Sequence, residues 1–297
     1  MRVAITGSSG LIGSALCARL GDHGHDVTAV VRRVAARGEI AWDPQRGELD
    51  PADLTGVDAV VNLAGAAIAD HRWTDLYKRE ILDSRTNATT LIAKAIADAE
   101  GGPRVLLSGS GIDVYGDRGD ETVDETSSSG AGFLSDVCER WEASTAAAEA
   151  AGVRVAHLRT SMVLSAKGGA LRKMLPLYRL GLGGRTGRGR QWVSWISIDD
   201  EVGAIEHLLD SDASGPVNLA APNPVTNADF ARTLGRVLKR PAILPLPAFA
   251  PKLLLGSELV ETLLVEGKRV LPTVLEADGY AFTHPTLETA LRAVLGR

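Results

Sequence analysis

Three glycines near the start of the chain constrain its fold more than any other feature. Residues Arg2 to Thr6 have the composition of a short buried strand, and Gly7, Gly10 and Gly13 follow it before an amphipathic helix. Gly7 permits a tight turn, Gly10 allows the backbone to approach a pyrophosphate, and Gly13 allows the helix to pack on the strand. This strand–turn–helix context predicts a dinucleotide-binding turn, with an empty structural turn as the alternative.

The beginning of this helix is predicted to hold the phosphates of the dinucleotide. A helix N-terminus has unpaired N–H groups and a positive dipole end, both of which favour an anion. The residues expected to line the cofactor here are Gly7, Ser9, Gly10, Leu11, Ile12 and Gly13.

The end of the second predicted strand indicates which dinucleotide binds. Residues 26–31 are β-rich and are followed by Arg32 and Arg33, with no acid at the strand end. Aspartate or glutamate in this place holds the ribose 2′-OH of NAD, whereas arginine accommodates the 2′-phosphate of NADP. The sequence therefore predicts NADP(H) as the cofactor. The alternative is that both arginines only solvate a strand end.

Composition excludes several classes of function. The chain has 297 residues, 45% hydrophobic content and a formal net charge of −5, which give no reason to expect nucleic-acid or membrane binding. No apolar run reaches the ~18 residues that span a bilayer. Cys17 and Cys138 both fall on predicted helices, where packing in a reducing compartment is expected. We expect a cytoplasmic protein, and its oligomeric state stays open.

Strands and helices alternate through the first half of the chain. Strands are predicted at 39–43, 57–64, 105–108 and 153–159, and helices at 73–99 and 134–151. This alternation predicts an α/β fold with a doubly wound parallel sheet, in which ligands lie at the carboxyl ends of the strands. The small residues that follow Asn62 would let the cofactor approach, unless they form a simple turn.

The pattern loosens after Val163 and predicts a second, smaller unit. Helices are predicted at 168–180, 226–238 and 286–295, a strand at 191–198, and an extended proline-rich segment at 241–251. Asp199 and Asp200 are predicted to cap the helix after the strand, and Thr226 or Asn227 the next one. We expect a Rossmann domain over 1–165, completed by about 191–221, and a C-terminal substrate lobe formed by 166–190 and 222–297.

Longer motifs extend the interpretation to a family. The strings TGSSGLIG at 6–13, NLAGAAIADHRWT at 62–74, SRTNAT at 84–89, SGSGIDVYG at 108–116, GLGGRTGRGRQWVSWI at 181–196 and APNPVTN at 221–227 run through the whole chain. Together they resemble the atypical, extended short-chain dehydrogenase/reductases, and within them the YfcH-like NAD(P)-dependent epimerase family. The resemblance implies an NADP(H)-binding Rossmann fold without an assigned substrate.

The resemblance also implies cofactor contacts beyond the glycine turn. It places Arg85 near the cofactor phosphates as a second cation, and Met162 and Val163 near the nicotinamide. The cofactor-binding set expected beyond the turn comprises Arg32, Arg33, Leu63, Ala64, Gly65, Glu80, Arg85, Ser108, Met162 and Val163.

The chemistry departs from this resemblance. The superfamily uses a tyrosine to relay a proton, a lysine four residues later, and a serine or threonine. Residues 131–142 contain no Tyr-x-x-x-Lys, and alignment places Leu134, Cys138 and Gly111 at the three positions. Three candidates for catalysis remain, each with a structural role as the alternative: Ser110, Asp113 and Tyr115. Cys138 lacks a paired histidine, and no cluster has metal-ligand spacing.

Two functions of different classes follow from these residues. The first is an NADP(H)-dependent, epimerase-like oxidoreductase acting on a small carbonyl or alcohol. The second is a non-catalytic protein that senses NADP(H) and signals to a partner. An RNA-binding role for the arginine–glycine loop at 185–190 is a distant third, because the loop is short and lacks aromatic residues.

Overall fold

A parallel sheet forms the centre of the computed structural model, which describes residues 1–245 and 256–297. The first seven strands along the chain, not all of them in this sheet, are β1 Arg2–Thr6, β2 Asp26–Val31, β3 Glu39–Ala41, β4 Ala59–Asn62, β5 Val105–Gly111, β6 Thr122–Val123 and β7 Arg154–Thr160. The others are β8 Met162–Leu164, β9 Trp192–Val193, β10 Trp195–Ser197, β11 Gly215–Leu219, β12 Val225–Thr226 and β13 Arg269–Val270. Seven of the described strands make the sheet, in the order β11-β7-β5-β4-β1-β2-β3.

Helices cover both faces of this sheet. They are α1 Leu11–Asp22, α2 Asp75–Asp98, α3 Phe133–Ala143, α4 Ala146–Ala150, α5 Gly169–Arg179, α6 Ile198–Asp210, α7 Asn227–Leu238, α8 Ser257–Val260, α9 Thr273–Ala277 and α10 Leu287–Leu295. Short 3-10 helices lie at Pro51–Leu54 and Ile112–Tyr115, and a π-helix at Glu261–Val265. The predicted α/β fold with a doubly wound parallel sheet is confirmed.

Alternation along β1 explains the two layers of helices. Val3 and Ile5 belong to the buried cluster that includes α1 and α6, whereas Ala4 belongs to the cluster with α2 and α4. A strand that is buried on both faces must be apolar throughout. The strand order reverses between β1 and β4, so the carboxyl ends of these strands form the crevice where open α/β sheets bind ligands.

The single helix predicted at 134–151 is wrong, because the chain forms two helices there. The break falls at Ser144 and Thr145. The Ser144 hydroxyl donates to the carbonyl of Arg140 at 2.7 Å, and that of Thr145 donates to the carbonyl of Glu142 at 2.7 Å. Side chains that bond to nearby carbonyls compete with the helical pattern.

The single strand predicted at 191–198 is also interrupted. Ser194 separates β9, which pairs with β12, from β10, which pairs with β8. Its buried hydroxyl donates to the carbonyl of Lys268 at 2.7 Å and accepts the N–H of Val270 at 2.9 Å. Ser194 therefore joins this segment to the C-terminal part of the chain, a contact that no local pattern could show.

The cap of α6 differs from the prediction. Ser197 is the N-cap, and its hydroxyl accepts the N–H of Asp200 at 3.0 Å. Asp200 is completely buried, and its carboxylate accepts the N–H groups of Thr283 at 2.7 Å and His284 at 3.0 Å. The predicted capping aspartate therefore fastens the segment before α10 to α6.

A separate apolar cluster supports the elements beyond β7. It unites side chains of α5, α7 and α10 around Tyr178, Trp195, Phe230 and Leu291. The predicted helices at 168–180, 226–238 and 286–295 correspond to these three, within one residue at each end. Of the segment predicted to be extended at 241–251, residues 241–245 form neither helix nor strand, and the remainder lies outside the described residues.

Thr226 is the N-cap of α7, one of its two predicted caps, and it allows a test of local stability. Its hydroxyl accepts the N–H of Asp229 at 3.2 Å. We expect Thr226→Ala to lower the free energy of unfolding by about 1 kcal/mol, the usual cost of a lost N-cap. Urea unfolding measures this value. Arg232→Ala, at a surface pair with Asp229, is the control and should change it by less than about 0.5 kcal/mol.

Candidate active site

The glycine turn packs its backbone tightly against the end of β4 and the start of α1. Gly7 has φ +64°, and a Cβ there would lie 2.8 Å from the carbonyl oxygen of Leu63. A Cβ on Gly13 would lie 2.2 Å from the carbonyl oxygen of Gly7. Gly10 is the N-cap of α1 and supplies no side-chain hydrogen bond, so no side chain of the cap residue bonds to the first N–H groups of the helix. This cradle suits a pyrophosphate.

The two predicted phosphate-binding arginines have different surroundings. Both are exposed where β2 ends, beside β1 and its glycine turn. Arg33 forms a bidentate pair with Glu39, with N···O distances of 2.7 and 2.6 Å. Arg32 has no ion pair within residues 1–245 and 256–297. The guanidinium of Arg32 is therefore free of a described carboxylate partner, whereas that of Arg33 is already paired with Glu39.

Hydrogen bonds between side chains lock the ends of β1 and β4 together. The hydroxyl of Thr6 donates to the side-chain oxygen of Asn62 at 2.6 Å and accepts the N–H groups of Leu63 at 3.0 Å and Ala64 at 3.2 Å. The small residues after Asn62 are thereby held against Gly7. This arrangement fixes the floor of the crevice where the cofactor is expected.

Arg85 is a buried cation beside this floor. It is 6% exposed, and its guanidinium carbon lies 3.2 Å from the place of a Cβ on Gly65 and 5.0 Å from the Trp141 ring. Nη1 donates to the carbonyl of Ile81 at 2.9 Å, and no described carboxylate pairs with it. Burial lowers the pKa of Arg85. An unpaired buried guanidinium calls for an anionic ligand.

Other predicted cofactor residues lie in varied positions. Ser108 is completely buried, and its hydroxyl finds no partner in the part of the chain that the structure describes. Met162 and Val163 are half-buried on β8. Glu80 is exposed near the start of α2, where it lines a surface depression with His71 and Tyr77. Glu80 lies five residues from Arg85, a spacing that places the two on different faces of a helix.

Tyr115 does not fit its predicted catalytic role. It is completely buried, and its hydroxyl donates to Asn218 at 2.8 Å and accepts from Arg159 at 2.9 Å. Burial raises the pKa of Tyr115, and the bonds from Arg159 and Asn218 oppose this effect only in part. An enclosed phenol with both bonding directions used is unsuited to relaying a proton to a substrate.

Ser110 is held by a buried ion pair that the sequence reading missed. Its hydroxyl donates to Glu142 Oε1 at 2.7 Å, and Arg159 binds both oxygens of Glu142 at 2.8 and 2.9 Å. Burial favours the neutral acid, but the bonds and charge of Arg159 prevail and hold the pKa of Glu142 below its ordinary value. With its proton directed at Glu142, Ser110 can accept a hydrogen bond from a substrate but cannot donate one.

Asp113 is the predicted catalytic residue with a suitable setting. It is about one-quarter exposed, and its Oδ1 lies 3.0 Å from Nζ of Lys268, a residue that sequence reasoning missed. A Cβ on Gly111 would lie 3.5 Å from Cys138 Sγ and 3.7 Å from Asp113 Oδ2. Burial raises the pKa of Cys138 to about 12, so its thiol stays protonated. Asp113 and Lys268 form an ion pair at this point, and Glu266 lies 3.9 Å from Lys268 Nζ.

The loop at 181–190 is fastened to α7. The N–H of Thr186 donates to the side chain of Asn227 at 2.7 Å, and the N–H of Ala228 donates to the carbonyl of Gly189 at 2.9 Å. Among the described residues no group of His, Cys, Asp or Glu could hold a metal ion. No described helix is long and apolar enough to cross a membrane.

The fold and the crevice define a Rossmann-type nucleotide-binding protein. Residues 3–220 match the NAD dependent epimerase/dehydratase family, and residues 246–294 match a domain of unknown function, DUF1731. The chain belongs to this epimerase/dehydratase family, within its atypical short-chain dehydrogenase/reductase branch. The resemblance predicted from the motifs is confirmed.

Relatives cover almost the whole chain. Epimerase family protein Mb2239 of Mycobacterium bovis is 47% identical over 97% of this chain and 96% of its own length. The human epimerase family protein SDR39U1 is 38% identical over 99% of this chain and 100% of its own length. A crystal structure of human SDR39U1 (isoform 2) with NADPH has a TM-score of 0.90 and 36% identity, covering 100% of this chain and 99% of that one.

Proposed function

We propose that this protein is an NADP(H)-dependent, epimerase-like oxidoreductase that acts on a small carbonyl or alcohol. The observation that carries the proposal is the joint presence of a phosphate cradle and two cations without acidic partners, Arg32 and Arg85, among the described residues. The NADPH-bound human relative supports the choice of cofactor. When bound, a nicotinamide cofactor supplies or accepts a hydride.

Different residues of this chain would bind different parts of such a cofactor. The N–H groups at the start of α1 would bind the pyrophosphate, and Arg85 would add a positive charge near the phosphates. Arg32 would bind the 2′-phosphate, with Arg33 joining after its release from Glu39. Met162 and Val163 would form an apolar wall against the nicotinamide. The orphaned hydroxyl of Ser108 fits a role close to the ligand.

The proposal also covers the cellular compartment of the protein and the part of the chain that would bind the substrate. We place the protein in the cytoplasm, which the free thiols of Cys17 and Cys138 support. The small lobe formed by 166–190 and 222–297 would cover the cofactor domain and shape the substrate pocket. The Ser-Tyr-Lys set of the superfamily is absent, because Gly111, Leu134 and Cys138 hold its places. An NADP(H)-sensing role without catalysis is the alternative that this absence favours.

The cofactor assignment is tested by calorimetric titration with NADPH and NADH. We expect Arg32→Ala to weaken NADPH binding about 10- to 100-fold, the effect of one charge-assisted bond, and to leave the weaker NADH binding within about 2-fold. Arg33→Ala should have a smaller effect because Glu39 already binds that side chain. Arg37→Ala, exposed in the same loop, is the matched control.

Other outcomes of these measurements would distinguish the oxidoreductase from the NADP(H)-sensing protein. Equal affinity for NADPH and NADH, unchanged in Arg32→Ala, would remove the NADP assignment. NADPH binding without oxidation of the cofactor by a panel of sugar nucleotides, quinones and aldehydes would favour the sensor, especially if a partner protein binds in only one redox state. A failure to bind either nucleotide would contradict both.

A further inference from the structure

Charged side chains lie beside Gly111 and Cys138, the residues that stand where the superfamily has catalytic residues. Gly111 ends β5 without a side chain, and the thiol of Cys138 that faces it is buried and protonated. Neither residue can exchange a proton with a substrate near neutral pH. Within 4 Å of the Gly111 Cβ position, however, lies the carboxylate of Asp113, and its partner is the ammonium of Lys268 at 3.0 Å.

Lys268 comes from the far end of the chain and is held rigidly. Its side chain is 8% exposed, and Nζ lies 3.9 Å from Glu266 in addition to its contact with Asp113. Its N–H donates to the carbonyl of Trp192 at 3.3 Å, and its carbonyl accepts the hydroxyl of Ser194 at 2.7 Å. A charged side chain held by burial and by ion pairs loses little conformational freedom when it acts.

Hydrogen bonds connect Lys268 through Ser194 to Met162, a residue that is expected to lie near the nicotinamide. Ser194, which binds the carbonyl of Lys268, also accepts the N–H of Met162 at 3.3 Å through its own carbonyl. Met162 begins β8, directly after β7 of the central sheet. Asp113 follows Gly111, the last residue of β5, so the ion pair lies beyond the carboxyl end of a strand of the central sheet, where parallel α/β sheets carry out their chemistry.

We propose that Asp113 and Lys268 form the acid–base pair of this protein, in place of the absent tyrosine and lysine; this rests on the proposed oxidoreductase function. During reduction the substrate oxygen would take up the electron pair of its C=O bond and a proton from Lys268 Nζ, and a bound reduced nicotinamide would supply the hydride to the carbonyl carbon. Lys268 would then regain a proton from solvent through the partly exposed Asp113. The space beside Gly111 accommodates the substrate oxygen.

The first test needs no substrate. Oxidised nicotinamide carries a positive charge that the reduced ring lacks, so a neighbouring ammonium opposes NADP⁺ more than NADPH. We expect Lys268→Met to tighten NADP⁺ binding about 10-fold, as for one unit charge at about 10 Å and an effective dielectric constant of about 20, and to leave NADPH within about 2-fold. Asp113→Asn should weaken NADP⁺ by a similar factor. Lys94→Met, at an exposed site on α2, should change neither.

The outcomes separate this proposal from the one on which it rests. A ratio of NADP⁺ to NADPH affinity that stays the same in Lys268→Met and Asp113→Asn would overturn the acid–base pair and leave cofactor binding intact. Wild-type protein that binds neither nucleotide would end both proposals. Lys268→Arg keeps the charge, so a wild-type ratio in this variant shows that charge, and not a disturbed fold, moves the ratio.

Turnover gives the second readout. For any carbonyl of the panel that the wild-type protein reduces, we expect Lys268→Met to lower kcat about 100-fold, within the usual range for loss of a general acid, with KM within about 3-fold. Asp113→Asn should change the pH profile of kcat. A wild-type kcat in Lys268→Met would overturn the proposal even if the cofactor ratio had moved.

Discussion

Replacing Glu142 with alanine is expected to lower the free energy of unfolding by about 3–5 kcal/mol, the cost of removing one partner from a buried ion pair. Arg159 would lose both of its bonds to the Glu142 carboxylate, at 2.8 and 2.9 Å, and would keep only its bond to Tyr115. A guanidinium that is 8% exposed has little water to replace them. Chemical denaturation at pH 7 measures the change.

Two further variants test whether the ion pair is the cause. Glu149→Ala removes a carboxylate of the same region that is half exposed and lies 3.6 Å from His157, and it should cost less than about 1 kcal/mol. The double variant Glu142→Leu with Arg159→Leu should recover part of the loss, since no uncompensated charge remains. A loss no greater in Glu142→Ala than in Glu149→Ala would contradict the assignment.

The wild-type protein is expected to lose stability between pH 5.5 and pH 8 relative to the variant Glu201→Gln, by about 3 kcal/mol. Glu201 is completely buried, and burial raises its pKa to about 8, against a small opposing effect of the bond from Thr160. In this window the folded protein keeps a proton that the unfolded chain has released. The unfolded chain therefore binds fewer protons, and stability falls as pH rises.

Glutamine has no charge to bury, which makes Glu201→Gln the reference. The Thr160 hydroxyl donates to Glu201 Oε1 at 2.9 Å, a bond that the glutamine oxygen can replace. Denaturation curves of both proteins from pH 5.5 to pH 8 give the difference. An infrared band of a protonated carboxylic acid at pH 6, absent from the variant, would identify the group. A difference independent of pH would contradict the raised pKa.

Features with local causes were predictable from the sequence. The glycine turn follows from backbone angles and from the space that a Cβ would need, and Gly7 and Gly13 meet both conditions. Apolar runs and helical spacing predicted six of the seven strands of the sheet and the long helix α2, with ends within about three residues, whereas β11 was not predicted. Predictions of length failed where a side chain redirected the backbone, at Ser144 in one case and at Ser194 in the other.

The candidate site was predictable only in part. Asp113 was singled out from its place in a loop after a strand, but its partner Lys268 stands in a segment with no recognisable motif. Glu142 and Arg159 are 17 residues apart on different elements, so neither predicts the other. Tyr115 was proposed as catalytic from the same loop that contains Asp113, and only its burial against Asn218 shows that it belongs to the core.

The sequence by itself determined the fold class and the glycine turn, because both depend on steric and hydrophobic rules that act over a few residues. The tertiary structure alone decided which charges meet: Lys268 with Asp113, Glu142 with Arg159, and Glu39 with Arg33. Electrostatic and hydrogen-bond energies depend on distance in space and on burial, and neither quantity is fixed by position along the chain.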